Sequence, residues 1–133
     1  MTRYRIDLVN ARGSEKNRVE KLLEDAQIKL SVVASDIFGV SGRDMMAALI
    51  AGQRDPKVLA QLARSRMRTK IALLEEAFTG HFTDHHAFLL TRMLGRIDAI
   101  DTDIAAIEER IDEVIAPFTH AVTRLDDDGV DSA

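Results

Sequence analysis

The stretch LTRMLGRIDAIDTDIAAIEERIDEV, Leu90 to Val114, decides the fold. Within it Leu90, Met93, Ile97, Ile100, Ile104, Ile107, Ile111 and Val114 recur at alternating steps of three and four residues. That is the register of a coiled-coil seam, and its persistence predicts one long helix rather than a run of short ones. At 1.5 Å per residue the span covers roughly 37 Å. Thr83 offers an N-cap upstream and Pro117 a stop downstream, since a proline inside a helix removes one hydrogen bond and clashes with the preceding turn.

Moving towards the N-terminus, the polar joint His81-Phe82-Thr83-Asp84 is preceded by Gly80, a C-cap signal for a helix that Thr69 would open. That helix would turn Ile71, Leu74, Ala77 and Phe78 inward. Asp55-Pro56 reads as an N-cap followed by proline at the first helical position, starting a helix with Val58, Leu59 and Leu62 on one side. Gly39 and Gly42 bracket Val40-Ser41, a turn from which Ser41 would cap a helix running to Ile50 and closed by Gly52. Between Ile6 and Val33, a stripe of Val19, Leu22, Leu23, Ala26, Leu30 and Val33 opposes a wet face of Arg12, Glu15, Lys16, Arg18, Glu20 and Lys21. Gly13 weakens that helix by only ~1 kcal/mol and need not break it.

These elements predict an all-α protein: an elongated antiparallel helical coiled-coil hairpin with outer helices at about 2–36 and 84–116, and short helices packed at one end. Val19, Leu23, Leu30, Ile97, Ile104 and Ile111 are the expected core. Residues 1–118 form the helical domain. Residues 119–133, rich in aspartate, read as a disordered tail. Eight seam positions with few aromatics elsewhere leave more apolar helix surface than one hairpin covers, so a homodimer is expected.

Composition narrows the chemistry. In 133 residues, 46% are hydrophobic and 30% charged but only 5% aromatic, a balance that suits packed helices better than sheets. The absence of cysteine excludes a disulfide scaffold, a thiol nucleophile and a thiolate metal centre. No signal-peptide pattern or bilayer-length apolar run occurs, which gives an expected cytoplasmic location with no membrane partner.

A net charge of −4 excludes a uniformly basic nucleic-acid binder, yet the charge is segregated. From Gln53 to Lys70 there are six bases and one acid; from Asp98 to Glu113 there are seven acids and one base. Arg54, Lys57, Arg64, Arg66, Arg68 and Lys70, with Arg43, are therefore the candidate nucleic-acid contacts, and Arg3, Arg5, Arg12, Lys16 and Arg18 could extend them. The alternative use of the basic stretch is pairing with acids of the last helix such as Asp101 and Glu108.

Val33 to Leu49 fits either a DNA-reading helix-turn-helix or a structural helical corner; only Arg43 and Asp44 could face outward to bases before Ala47, which favours the corner. His81, His85 and His86 invite a metal reading, but the helix start at Thr83 separates His81 from the other two, and ordinary hydrogen bonding is the better expectation. No phosphate loop or nucleophile elbow is present, and no metal, cofactor or catalytic residue is expected.

Several stretches taken together resemble the middle region of bacterial insertion-sequence transposases of the one-ten class. They are Thr2-Arg3-Tyr4-Arg5, Arg18 to Ala26, Ile28 to Ser31, Gly39-Val40-Ser41-Gly42-Arg43, Ala48 to Gly52, Arg54-Asp55-Pro56, Leu62-Ala63-Arg64, Gly80-His81-Phe82 and Asp84-His85-His86. The likeness covers residues 2 to about 118. It implies a helical region lying between a resolvase-like domain with an Asp-Glu-Asp-Asp tetrad and a C-terminal domain with a catalytic serine, in recombinases directed by a structured bridge RNA. Beyond Phe118 the family pattern would lead through an Ile-Pro-Gly-Val-Gly-like motif, whereas here Leu125 is followed by Asp126-Asp127-Asp128-Gly129-Val130-Asp131. On this likeness the chain is a transposase fragment without catalytic residues, Ser132 included. Its implied partners are a second copy, DNA and structured RNA. A helix-turn-helix regulator and a generic coiled-coil adaptor are the alternative expectations.

Overall fold

The first helix ends in a turn that redirects the chain. In the computed structural model, which describes residues 2–128 and side chains as far as residue 116, α1 spans Thr2–Asp25. Gln27 then takes a left-handed conformation, φ 59°. The Ile28 amide donates to the Leu23 carbonyl at 2.8 Å and the Gln27 amide to the Glu24 carbonyl at 2.9 Å. This is the paired bonding of a Schellman turn, and Leu23 and Ile28, which such a turn brings together, are both buried. The expectation of a first helix reaching residue 36 is thereby corrected: α2, Leu30–Val33, is a separate single turn. The apolar stripe continued past residue 26, so periodicity alone did not mark the break.

The remaining elements are α3 Val40–Ile50, α4 Pro56–Ala60, a 3-10 segment Ser65–Lys70, α5 Ile71–Ala77 and α6 Asp84–Asp128, with no strand among the described residues. Long helix packs against long helix, α6 against α1, as the heptad pattern predicts. The chain divides into two compact units, a core unit of Ser14–Ile97 and a helix-pair unit of Met1–Gly13 with Asp98–Ala133.

In the core unit a single apolar cluster joins Val19, Leu23, Leu30, Ile37, Met45, Met46, Leu49, Leu59, Leu74, Leu90 and Ile97. The short helices pack in sequence, α4 on α3 and α5 on both α2 and α4. Two glycines are demanded by close backbone approach. A Cβ on Gly42 would lie 1.9 Å from the Ile37 carbonyl oxygen, and one on Gly80 would lie 2.6 Å from the carbonyl oxygens of Ala26 and Gln27. Around Gly80 the His81 amide donates to Ala26 O at 2.7 Å and the Lys29 amide to Ala77 O at 2.9 Å.

Several cap assignments shift. Gly39, not Ser41, is the N-cap of α3; Ser41 lies within the helix, buried, and its Oγ accepts the Arg64 amide at 2.9 Å. Gly52 closes α3 at φ 107°, as expected. Asp55 caps α4 by accepting the Lys57 amide at 3.0 Å, also as expected. Thr69 sits in the 3-10 segment and α5 starts at Ile71, while Gly80 serves the close approach above rather than a C-cap. Glu15, assigned to the wet face, is 2% exposed. It stands one turn before Val19 on the buried stripe, and its carboxylate pairs with Arg18 and, at 3.7 Å, with Arg96.

In the helix-pair unit, Arg5 meets Glu108 at 2.8 Å and Arg12 meets Asp101 at 2.7 Å, so the numbering runs in opposite directions along the two helices. These pairs are partly exposed and contribute at most about 1 kcal/mol each. Along the seam, Leu90, Ile97 and Ile104 are buried; Met93, Ile100, Ile107 and Ile111 are half-buried, and Val114 is exposed. Ile111 thus falls short of the expected burial. Leu94, outside the heptad assignment, is buried while Met93 is not, because a straight 3.6-residue helix drifts off a strict seven-residue stripe. Helix α6 also continues through Pro117 to Asp128, so the proline does not end it. One proline removes a single intrahelical bond, and the neighbouring residues Ala116 and Ala121 are strong helix formers. The expected tail at 119–133 is helical backbone as far as Asp128, and residues 129–133 lie outside the described residues.

Replacing Gly42 by Ala is expected to destabilise the protein by at least ~1–3 kcal/mol, because backbone must move to admit the methyl group. Gly95→Ala, at a helical position with nothing within 4 Å of the new Cβ, is expected to stabilise it by ~0.5–1 kcal/mol. Urea unfolding midpoints of the two variants should shift in opposite directions.

Candidate nucleic-acid interface

All seven candidate contact residues, Arg43, Arg54, Lys57, Arg64, Arg66, Arg68 and Lys70, fall in the core unit, and the structure puts them to different uses. Arg54 is the most committed. It follows the turn after α3, half-buried, and its Nε donates to Phe82 O at 2.9 Å while one terminal nitrogen donates to Leu49 O and Gln53 O. The other terminal nitrogen reaches Asp84 at 3.5 Å, and the guanidinium lies 4.9 Å from the centre of the Phe82 ring. A planar five-donor group is the one side chain able to tie three carbonyls and a carboxylate together from one point. Arg54 is therefore a structural tie, not an available phosphate contact.

The alternating arginines lie on the 3-10 segment and the residue before it. Arg64 pairs with Asp44 at 2.8 Å. Arg68 donates to the carbonyls of Ala63 at 3.0 Å and Gln61 at 3.3 Å, and Lys70 Nζ donates to Val33 O at 3.1 Å. Ser65, between Arg64 and Arg66, holds φ 53°, a left-handed conformation that costs a non-glycine residue on the order of 1 kcal/mol. Arg66 is exposed and its guanidinium has no partner among the described residues, although its carbonyl accepts from Thr69 Oγ1 at 2.9 Å. Lys57 is exposed as well, but it lines a cleft with Glu75 and Glu76, whose charges oppose a phosphate there. Arg43 is half-buried in the first turn of α3. The proposed pairing of this basic stretch with Asp101 and Glu108 is not what these acids do: they hold Arg12 and Arg5. Arg18, in turn, holds Glu15, and Lys16 lies 5.1 Å over the Phe38 ring.

The Val33–Leu49 segment has the geometry of a corner. α2 is four residues long and six residues separate it from α3, whose Met45, Met46 and Leu49 enter the core. Asp44, one of its two outward polar residues, is occupied by Arg64.

The histidines join the start of α6 to the end of α1. His86 Nδ1 accepts the Thr83 amide at 3.1 Å, and Thr83 Oγ1 accepts the His86 amide at 3.3 Å. This is a capping box with histidine in the place of the usual Glu or Gln. Because Nδ1 accepts, the proton sits on Nε2, which donates to Asp25 at 2.9 Å. His81 and His85 are exposed, and no group of three or more metal-ligating side chains occurs among the described residues. No helix there is long and apolar enough to cross a membrane.

Charge is divided between the units. Residues 14–97 hold thirteen bases and ten acids, net +3, whereas residues 1–13 with 98–133 hold five bases and twelve acids, net −7. The core unit is therefore the more basic of the two. The seven bases singled out from sequence share the core unit, whereas Arg3, Arg5 and Arg12 lie in the helix-pair unit, and the sequence does not reveal that Arg54, Arg64, Arg68 and Lys70 are engaged within the fold. Sequence reading also passed over Arg92, an exposed base on the acid-free stretch His85–Ile97.

Compared with known proteins, the chain matches no family model, and no significant similarity to a curated protein or a solved structure is found.

Arg54→Ala is expected to lower stability by ~2–3 kcal/mol by leaving carbonyls of the joint without a charged donor, whereas Arg66→Ala stays within ~0.5 kcal/mol of the parent. Chemical denaturation of the two variants separates tie from free base. His86→Ala is expected to cost ~1 kcal/mol and His86→Gln less, since Gln can return the capping bond to Thr83; equal losses in thermal melts would show that the cap contributes nothing.

Proposed function

We propose that this chain is the helical oligomerisation and nucleic-acid-scaffold region of an insertion-sequence transposase of the one-ten class, acting in DNA transposition without catalytic chemistry of its own. The observation that carries this reading is where the family-like stretches sit. Gly39 to Arg43 holds the Gly42 approach to Ile37, and Arg54-Asp55-Pro56 holds the arginine tie and the α4 cap. Gly80-His81-Phe82 holds the approach to Ala26, and Asp84-His85-His86 holds the capping histidine. Four of the nine stretches that carry the resemblance thus lie at joints of the fold, which supports reading them as parts of one helical architecture.

Two further features support the roles within that reading. In the helix-pair unit, Ile104 is buried, but Tyr4, Ile6, Val114 and Ile115 are exposed and Ile107 and Ile111 only half-covered. A second copy of the chain would cover such a surface and form a homodimer. On the core unit, net +3, Arg66 supplies a free base for phosphate, for DNA or structured RNA alike. A cytoplasmic location goes with this function.

The expected result in light scattering is a dimer of the 14.8 kDa chain at tens of micromolar; a monomer there counts against the oligomerisation role. In gel shifts, binding of a structured RNA supports the transposase reading. Sequence-specific duplex binding would favour a regulator instead, and no binding an adaptor. Where binding occurs, Arg66→Gln should flatten the logarithmic salt slope by about one unit, the release expected from one phosphate contact.

A further inference from the structure

The four phenylalanines with described side chains have different surroundings. Phe78 and Phe82 are buried, Phe38 is half-buried beneath the Lys16 ammonium, and Phe88 is 62% exposed on α6. A lone exposed aromatic is unremarkable. This one, however, lines an open depression of about 520 Å³ together with Ile50, Asp84, Ala87, Thr91 and Arg92. Arg92, one turn on, is exposed and has no partner among the described residues. His85, one turn back, is exposed too, and positions three and four apart share a helix face. From His85 to Ile97 the helix carries no acid at all.

We propose that Phe88 and Arg92 form a stacking platform for an unpaired base of single-stranded nucleic acid, with the base on the Phe88 ring and the adjoining phosphate at Arg92. The assignment rests on the nucleic-acid reading above, and it adds a second surface to it, distinct from the 3-10 segment. An exposed ring face beside a free guanidinium matches both parts of a nucleotide: the ring stacks on any base, and the cation meets the backbone. An apolar protein partner would find only Ile50, Ala87 and Phe88 to cover, flanked by charge on both sides. Asp84 sets the polarity. It lies 3.5 Å from Arg54 and stands about two turns before Arg92 on α6, so the phosphate is assigned to the Arg92 side. A base paired inside a duplex cannot present its face to the ring, so the platform selects single strands and looped-out bases.

The test measures fluorescence anisotropy of a labelled oligothymidylate of about 16 nucleotides, and of a duplex of equal length, against the full chain. Phe88→Ala is expected to weaken oligothymidylate binding by about 5- to 100-fold and to leave duplex binding unchanged, while Phe88→Tyr, which keeps a ring, stays close to the parent. Arg92→Gln should weaken single-strand binding most at low salt. Equal oligothymidylate affinity in Phe88→Ala and the parent overturns the platform alone. So does binding of duplex or structured RNA without binding of oligothymidylate. An equal loss on both probes, or conversion of a dimer to monomer by Phe88→Ala, also overturns it and makes the face a protein interface. A parent chain that binds neither these probes nor structured RNA overturns the platform and the nucleic-acid reading together.

Discussion

Gly80 lies so close to the carbonyls of Ala26 and Gln27 that no side chain fits between them, and the core unit depends on that contact. The amides of His81 and Lys29 cross-link the same two strands of chain, one just past α1 and the other just before α6. With those bonds made, the start of α6 has one place to be relative to the end of α1, and His86 can reach Asp25. The registers that bury Glu15 near Arg96 and bring Val19 and Leu23 into one cluster with Leu90 and Ile97 are consistent with that single fixed point. Hydrogen-bonded backbone sets direction here, and apolar burial supplies most of the free energy.

The long helix and its partner were legible because periodicity is a property of sequence alone: seam residues such as Leu90, Ile97 and Ile104 declare themselves by spacing. Local chemistry was equally legible at Asp55-Pro56 and at Gly52, where cap and turn residues act on their own neighbours. What escaped depended on distant chain. The break after Asp25 uses a glutamine in a left-handed conformation where glycine is usual, so no local signal marked it. Ser41 looked like a cap but serves the amide of Arg64, twenty-three residues on. Glu15 looked wet because it is charged, although its spacing from Val19 placed it on the buried stripe.

For the candidate site, the sequence located the bases but not their occupation. Arg54, Arg64, Arg68 and Lys70 each spend their donors on carbonyl or carboxylate groups of the same unit, which no count of charges reveals. A basic run in a helical protein thus divides into ties and free charges, and the distinction lies in which carbonyls the turns between helices leave without amide partners. Arg54 follows this account at Phe82, whose carbonyl just before the Thr83 cap it takes alone, while the Leu49 carbonyl at the end of α3 is shared with the Gly52 amide.

The short helices impose a cooperative behaviour on the core unit. α2, α4 and α5 contain four, five and seven residues, well below the length at which a helix persists in water by itself. Each survives because a few of its side chains, Leu30, Leu59 with Ala60, and Leu74, belong to one shared cluster. None can fray fully without opening that cluster to water, so the hydrogen-bonded amides of α2, α4 and α5 are expected to gain and lose protection together, while the 3-10 segment, which buries no residue, exchanges separately.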